Sequence, residues 1–205
     1  MPDMIPDPEA YFRGFIPPRD ELLIELEQEA QQEHIPIVGP VVGEFLYILA
    51  KSMNCRAALE LGTATGYSTI YLARGISNPG GILTTIERDE AMAARARKNI
   101  SKAGLANQVE VRVGEVAEVL ETLQGPYDLI FMDIEKEDYQ KALSGCHSLL
   151  RLGGLLVVDN VAFLGAREFN QKIFTDNHWR CVHLYSILPN HSPEKDGLTL
   201  AVRID

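Results

Sequence analysis

Two kinds of hydrophobic pattern alternate along the chain. Short apolar runs at Arg56–Leu61, Gly81–Glu87, Leu129–Met132 and Leu155–Val158 predict strands buried on both faces. Val109, Val111 and Val113 alternate with charged residues and predict one more strand. Between them, apolar positions return every three or four residues and predict helices. Asp20 is placed to cap a helix carrying Leu22, Leu23, Leu26 and Ala30 as far as His34, where Pro36 breaks the pattern. A second helix from about Pro40 turns Val41, Val42, Phe45, Leu46, Ile48 and Leu49 inward. Others are expected from Ser68, over Asp89–Ala103, from Asp138 to Leu150 before Gly153-Gly154, and over Arg167–Phe174. The rhythm changes at the end. Arg180–Leu188 and Leu198–Ile204 are separated by a polar turn, Pro189 to Gly197, with no crossover helix, so they must pair antiparallel.

Strands alternating with helices predict an α/β fold with a mostly parallel sheet. The 205 residues suffice for one such domain, divided as an irregular arm at 1–19, capping N-terminal helices at 20–55 and the core at 56–205. The arm holds five prolines, yet its Tyr11, Phe12, Phe15 and Ile16 need a surface to cover. That surface is either the domain or a second subunit, and a homodimer is expected. Net charge is −10, which does not favour tracking a phosphate backbone. Cys55, Cys146 and Cys181 are odd in number and far apart, as expected of reduced thiols. No signal peptide and no apolar run of membrane-spanning length is read, so the expected location is the cytoplasm.

The candidate chemistry gathers at the C-terminal ends of the strands. After the first strand comes Glu60-Leu61-Gly62-Thr63-Ala64-Thr65-Gly66-Tyr67-Ser68, a two-glycine turn opening into a helix. Its spacing is E-x-G-x-x-x-G, which is neither the G-x-G-x-x-G of dinucleotide sites nor a P-loop. Glu60 disfavours a pyrophosphate and suits a ligand with an amine and a sulfonium. Glu87, at the end of the second strand, can accept both hydroxyls of a ribose; it can equally be a solvated acid. Gly114-Glu115-Val116-Ala117 follows the third strand, where an adenine edge would lie, or is simply a loop entering a helix.

Asp133 ends one strand and Asp159-Asn160 ends another. If the two are neighbours, about 5 Å apart, two carboxylates and an amide oxygen converge. Such an all-oxygen set suits Mg²⁺, Ca²⁺ or Mn²⁺, not zinc. Lys136, three residues past Asp133, is a general base if the cation and partial burial lower its pKa, and otherwise a surface lysine in a charged run. The five histidines show no ligand spacing, and no Ser-His-Asp arrangement follows the hydrolase pattern.

Taken together, Glu60–Ser68, Glu87, Asp133-Ile134-Glu135-Lys136, Asp159-Asn160 and Asp196-Gly197-Leu198-Thr199-Leu200-Ala201 resemble the cation-dependent class I O-methyltransferases. That family includes catechol and caffeoyl-coenzyme A O-methyltransferases and small bacterial relatives. The resemblance runs from about Ile35 to the C-terminus. It implies a Rossmann-like fold with a seven-stranded sheet whose last strand is antiparallel, and S-adenosylmethionine as cofactor. It further implies that Val38 and Gly39 lie against the cofactor, that Glu60, Gly62, Thr63 and Ser68, with Tyr67 beside them, hold its methionine end, and that Glu87 holds the ribose. Gly114, Val116 and Ala117 would flank adenine. Asp133, Asp159 and Asn160 would bind the divalent cation, with Asp133 also near the cofactor's amine, and Lys136 would take the acceptor's proton. The arm at Tyr11–Pro18 and the loop Asn190–Lys195 depart from the family's pattern, so the acceptor stays open.

The leading expectation is methyl transfer to a small catechol-like or vicinal-diol hydroxyl. The alternatives are methylation of a hydroxylated wobble uridine in transfer RNA, with Arg95, Arg97, Lys98 and Lys102 meeting phosphates, a non-catalytic cofactor-binding protein, and a nicotinamide dehydrogenase.

Overall fold

The computed structural model describes residues 3–205; the first two residues of the arm lie outside it. The strands are β1 (Ala57–Leu61), β2 (Ile82–Glu87), β3 (Val109–Val113), β4 (Tyr127–Met132), β5 (Leu150–Val158), β6 (Trp179–Ile187) and β7 (Lys195–Arg203). They form one sheet in the order β3-β2-β1-β4-β5-β7-β6. Pairing is parallel from β3 to β5, and β7 runs antiparallel to both β5 and β6. The sheet is therefore the seven-stranded, mostly parallel one expected, with its last strand reversed.

Among the described residues, eight α-helices accompany it: α1 (Pro8–Arg13), α2 (Glu21–Glu33), α3 (Gly39–Ser52), α4 (Tyr67–Gly75), α5 (Glu90–Lys102), α6 (Val116–Thr122), α7 (Tyr139–Leu149) and α8 (Arg167–Thr175). Their starts are written locally. Asp20 Oδ1 accepts from Leu23 N at 3.0 Å, and Asp89 Oδ1 from Met92 N at 2.7 Å. Each such cap contributes about 1 kcal/mol. The strands alternate sides. Leu129, Phe131, Leu155 and Val157 face the core under α3 and α4, while Ile130, Met132, Leu156 and Val158 face Tyr139, Leu143 and Phe169 of α7 and α8. Burial on both faces is why these runs carry no polar alternation.

Three boundaries differ from expectation. The arm is not wholly irregular, because Pro8 occupies the first turn of α1, where a missing N–H costs nothing, and Asp7 caps it at Ala10 N. Strand β5 begins at Leu150, not Leu155. Its Gly153-Gly154 pair absorbs a bulge, with Tyr127 opposite Leu150 and Leu129 opposite Leu155. The polar turn is shorter than read, since β7 already begins at Lys195.

Tyr11, Phe12 and Phe15 pack on one another and stay exposed. The arm is tied to the hairpin loop by ion pairs from Arg13 to Glu194 and from Lys195 to Glu9. Among the described residues, no helix is long and apolar enough to cross a membrane.

Candidate active site

Register sets the site. Leu61 stands opposite Ile86 and Met132, and Met132 opposite Val158, so β1, β2, β4 and β5 end level along one edge. The residues that follow them enclose a cleft of about 540 Å³, within the range of small-molecule sites.

The loop after β1 is squeezed between the neighbouring strand ends. Gly62 N donates to Ile86 O, and Asp133 N to Leu61 O. Gly62 sits at φ +96°, and a Cβ there would meet Asp133 O at 2.1 Å, so only glycine fits. Gly66 closes the turn at φ +86° and starts α4, which presents Tyr67 and Ser68 to the cleft beside Gly62 and Thr63.

Glu60 does not line the cleft. Its buried carboxylate accepts from Ser68 Oγ at 2.6 Å, Thr69 Oγ1 at 2.5 Å and Thr85 Oγ1 at 2.6 Å. Burial raises its pKa to about 7, against the pull of these three hydroxyls. With its proton committed to Glu60, Thr85 accepts from Thr63 at 2.7 Å. The acid thus anchors α4 and the loop from behind, because its side chain meets Ser68 and Thr69 of α4 and Thr85 of β2.

Glu87 does face the cleft. Its oxygens are held by Ala64 N at 2.9 Å and Asp89 N at 3.0 Å. Val116 and Ala117 line the cleft with Glu115 and Glu118, at the start of α6. Gly114 and Gly39 stand behind the lining. Gly114 N pairs with Glu87 O, and Gly39, at φ +68°, lies so close to Asn190 O that a Cβ would be 2.5 Å from it. Val38 is on the lining itself, beside Pro36 and Ile37.

Asp133, Asp159 and Asn160 line the same cleft, from the ends of the adjacent strands β4 and β5. Burial and the facing charge of Asp159 push the Asp133 carboxyl above its usual range, despite Lys136 and His191. Asp196 Oδ2 takes Asn160 Nδ2 at 2.8 Å. A carboxylate only accepts, so the amide is fixed with Nδ2 toward Asp196 and Oδ1 as its free end. Lys136 Nζ lies 3.6 Å from Asp133 Oδ1, donates to Ile134 O at 3.2 Å, and sits 5.6 Å from the Phe163 ring centroid. Tyr139 donates from its hydroxyl to Asp159 O at 2.9 Å and steadies the end of β5.

His191 is the residue that sequence reasoning missed. The loop between β6 and β7 carries it into the cleft, with Nε2 2.8 Å from Asp159 Oδ2 and both side chains 1% exposed. Burial opposes its protonation, but the hydrogen bond and charge of Asp159 outweigh that and raise its pKa.

The O-methyltransferase family profile matches residues 17–204. The chain belongs to that family. It is an S-adenosylmethionine-dependent class I O-methyltransferase of the catechol and caffeoyl-CoA type. It is 33% identical over 94% of both chains to a catechol O-methyltransferase from Niastella koreensis. It is 38% identical over 76% of this chain and 72% of the other to one from Mycobacterium tuberculosis. Among solved structures, an O-methyltransferase from Bacillus cereus in complex with SAH superposes with TM-score 0.85, at 32% identity and covering 95% of this chain and 96% of that one. TomG from Streptomyces achromogenes, an O-methyltransferase of tomaymycin synthesis in complex with SAM, gives 0.86 at 29% identity over 96% of each.

Around this family core, three of the four basic residues of α5 are engaged with their own protein. Arg95 pairs with Glu29 and Glu33, Lys102 with Glu25, and Arg97 donates to Val111 O.

Proposed function

We propose that the enzyme methylates one hydroxyl of a small catechol-like or vicinal-diol acceptor, with S-adenosylmethionine in the glycine-loop half of the cleft and a divalent cation at its acceptor end. The observation that carries this reading is the convergence of Asp133, Asp159, Asn160 and Lys136 on the same cleft as Gly62, Ser68 and Glu87.

The donor set fits a cation. Two carboxylates repel each other across the site, one amide oxygen is turned free, and the oxygens are hard donors. Asp133, Asp159 and Asn160 would hold the ion, be it Mg²⁺, Ca²⁺ or Mn²⁺. Bound there, it would bring two vicinal substrate oxygens together and favour ionisation of one. The cofactor supplies the methyl group on its sulfonium. Gly62, Thr63, Tyr67 and Ser68 frame the methionine end, Glu87 offers carboxylate oxygens to the ribose, and Val38, Val116 and Ala117 supply apolar walls. Glu60 acts through Ser68 and Thr85. Lys136, near the Asp133 carboxylate, would take the hydroxyl proton as its neutral amine, and Phe163 and Tyr139 limit water around it. The remaining contribution is alignment of oxyanion and methyl.

The transfer-RNA alternative is not favoured. Three of the four basic residues that would meet phosphates, Arg95, Arg97 and Lys102, are engaged with Glu29, Glu33, Val111 and Glu25. We also propose a homodimer covering Tyr11, Phe12 and Phe15, to be read as a dimeric mass by light scattering at micromolar concentration. The free thiols Cys55, Cys146 and Cys181 fit a reducing, cytoplasmic compartment.

The test is methyl transfer from labelled S-adenosylmethionine to a simple catechol acid, with Mg²⁺ and with EDTA. Transfer that EDTA abolishes is expected. Transfer untouched by EDTA removes the cation, and absent cofactor binding removes the whole assignment.

A further inference from the structure

We propose that Glu27 is a positioning residue for the cofactor half of the cleft: its carboxylate fixes the phenol of Tyr67, and with it the wall beside the methionine end of S-adenosylmethionine. This rests on the placement of the cofactor given above and extends it to a residue outside the cleft.

Helix α2 buries Leu23, Leu26 and Ala30 as one stripe. Glu27 stands four residues after Leu23 and three before Ala30, so its side chain leaves the helix on the same side. A carboxylate on an apolar stripe is costly unless it is paired and hydrogen-bonded. Glu27, its side chain 15% exposed, is both. Arg19 donates from Nε to Oε1 at 3.0 Å and from Nη2 to Oε2 at 3.2 Å. Arg19 is secured in turn by donating from Nη1 to Pro17 O at 3.2 Å. The same Oε1 accepts from the Tyr67 hydroxyl at 2.7 Å, which ties α2 to the first residue of α4.

At Tyr67 this chain of contacts meets the chemistry. The residue is buried, lines the cleft, and precedes Ser68, whose hydroxyl is committed to Glu60. Its ring centroid lies 5.4 Å from that of Tyr71, and the Tyr71 hydroxyl is buried with no partner among the described residues. Glu27 therefore holds one of two adjacent phenols. A buried hydroxyl without an acceptor is costly, so loss of Glu27 would free the Tyr67 ring to turn out of the position that shapes the cleft. Helix α2 also leads through its His34 cap to Pro36, Ile37 and Val38, which line the same cleft. One carboxylate thus keeps two stretches of the wall in register.

Three variants separate positioning from support of the fold. In Glu27→Leu the stripe stays filled, and Arg19, its side chain 23% exposed, can turn to water. Glu27→Gln keeps an oxygen for Tyr67 and for one Arg19 bond. Tyr67→Phe removes the same hydrogen bond from the other side. Titration calorimetry with S-adenosylhomocysteine should show affinity falling about 10-fold in Glu27→Leu and in Tyr67→Phe, the worth of one hydrogen bond to a charged group. Glu27→Gln should stay within about 3-fold of wild type. The KM for S-adenosylmethionine should rise in the same ratio while kcat holds, as for lost uniform binding. The double variant of Glu27→Leu with Tyr67→Phe should bind no more weakly than either single one. Normal affinity in Tyr67→Phe, additive losses in the double variant, or equal losses in Glu27→Gln and Glu27→Leu overturn the positioning role and leave the cofactor site standing. A wild type that binds no S-adenosylhomocysteine overturns the site itself. If Glu27→Leu does not fold, Tyr67→Phe set against Glu27→Gln still decides.

Discussion

Replacing Asp196 should disturb the cleft without touching any ligand. Its buried carboxylate accepts from Asn160 Nδ2 at 2.8 Å, Gly197 N at 2.6 Å and Ala162 N at 3.1 Å. Asp196→Ala leaves all three donors without a partner. Ala162 is exposed and its amide can turn to water, so it counts for little. Asn160 and Gly197 are buried and lose bonds to a charged acceptor, each worth about 1.5–3 kcal/mol. The sum, about 3–6 kcal/mol, is offset by removing one negative charge from a site that already holds Asp133 and Asp159, so we expect a net loss of about 2–4 kcal/mol. For a chain of this length that lowers Tm by roughly 5–15 °C.

Asp196→Asn isolates the cause. It gives the same relief of charge and keeps the shape, and its oxygen can still serve Gly197. Its own NH₂ group, however, then faces that of Asn160. It should therefore lose less stability than Asp196→Ala, yet lose cation affinity as severely, because in both variants Asn160 is free to rotate. Urea unfolding followed by circular dichroism gives the first quantity and calorimetry the second. An Asp196→Ala protein within 1 kcal/mol of wild type, a margin smaller than one buried charged hydrogen bond, would sink the bookkeeping. An Asp196→Asn protein with normal cation affinity would sink the claim that Asp196 works by fixing Asn160.

Gly62→Ala places a Cβ 2.1 Å from Asp133 O at φ +96°; it should cost about 3 kcal/mol or more and abolish cofactor binding, read by thermal melting and titration calorimetry. Glu60 binds more protons folded than unfolded between its ordinary 4.5 and about 7, so its contribution makes stability fall as pH rises through that window. Glu60→Gln should remove that slope in urea midpoints measured from pH 5 to 8, and an unchanged slope would show that the burial of Glu60 has no such effect. Lys136→Gln should lower kcat by about 100-fold or more while leaving cofactor affinity within about 3-fold, as expected for a lost proton acceptor. A normal kcat would assign the proton to another group.

How far the sequence could be read depended on whether the cause was local. Strands buried on both faces announce themselves as unbroken Leu, Ile and Val runs, and the helix starts at Asp20 and Asp89 are capped by the residues that signal them. The glycine turn was legible because two of its three left-handed positions are Gly62 and Gly66, the third being Ala64. Local cues also misled. Prolines read as breakers admitted a helix at Pro8, and a glycine pair read as a stop became a bulge inside β5. The direction of Glu60 was not legible either. Its partners Ser68, Thr69 and Thr85 arrive from α4 and β2, so the acid that marks the loop serves it from behind.

The same reasoning explains His191. Spacing rules detect groups that share a helix or a turn, whereas this edge is assembled from the ends of parallel strands. Asp133 and Asp159 could be joined in advance because both sit where a strand stops. His191 sits at no strand end; it reaches Asp159 only because β7 inserts between β5 and β6 and lays the preceding loop across the cleft. Its contribution is a property of the reversed strand, which a search along the chain has no means to see.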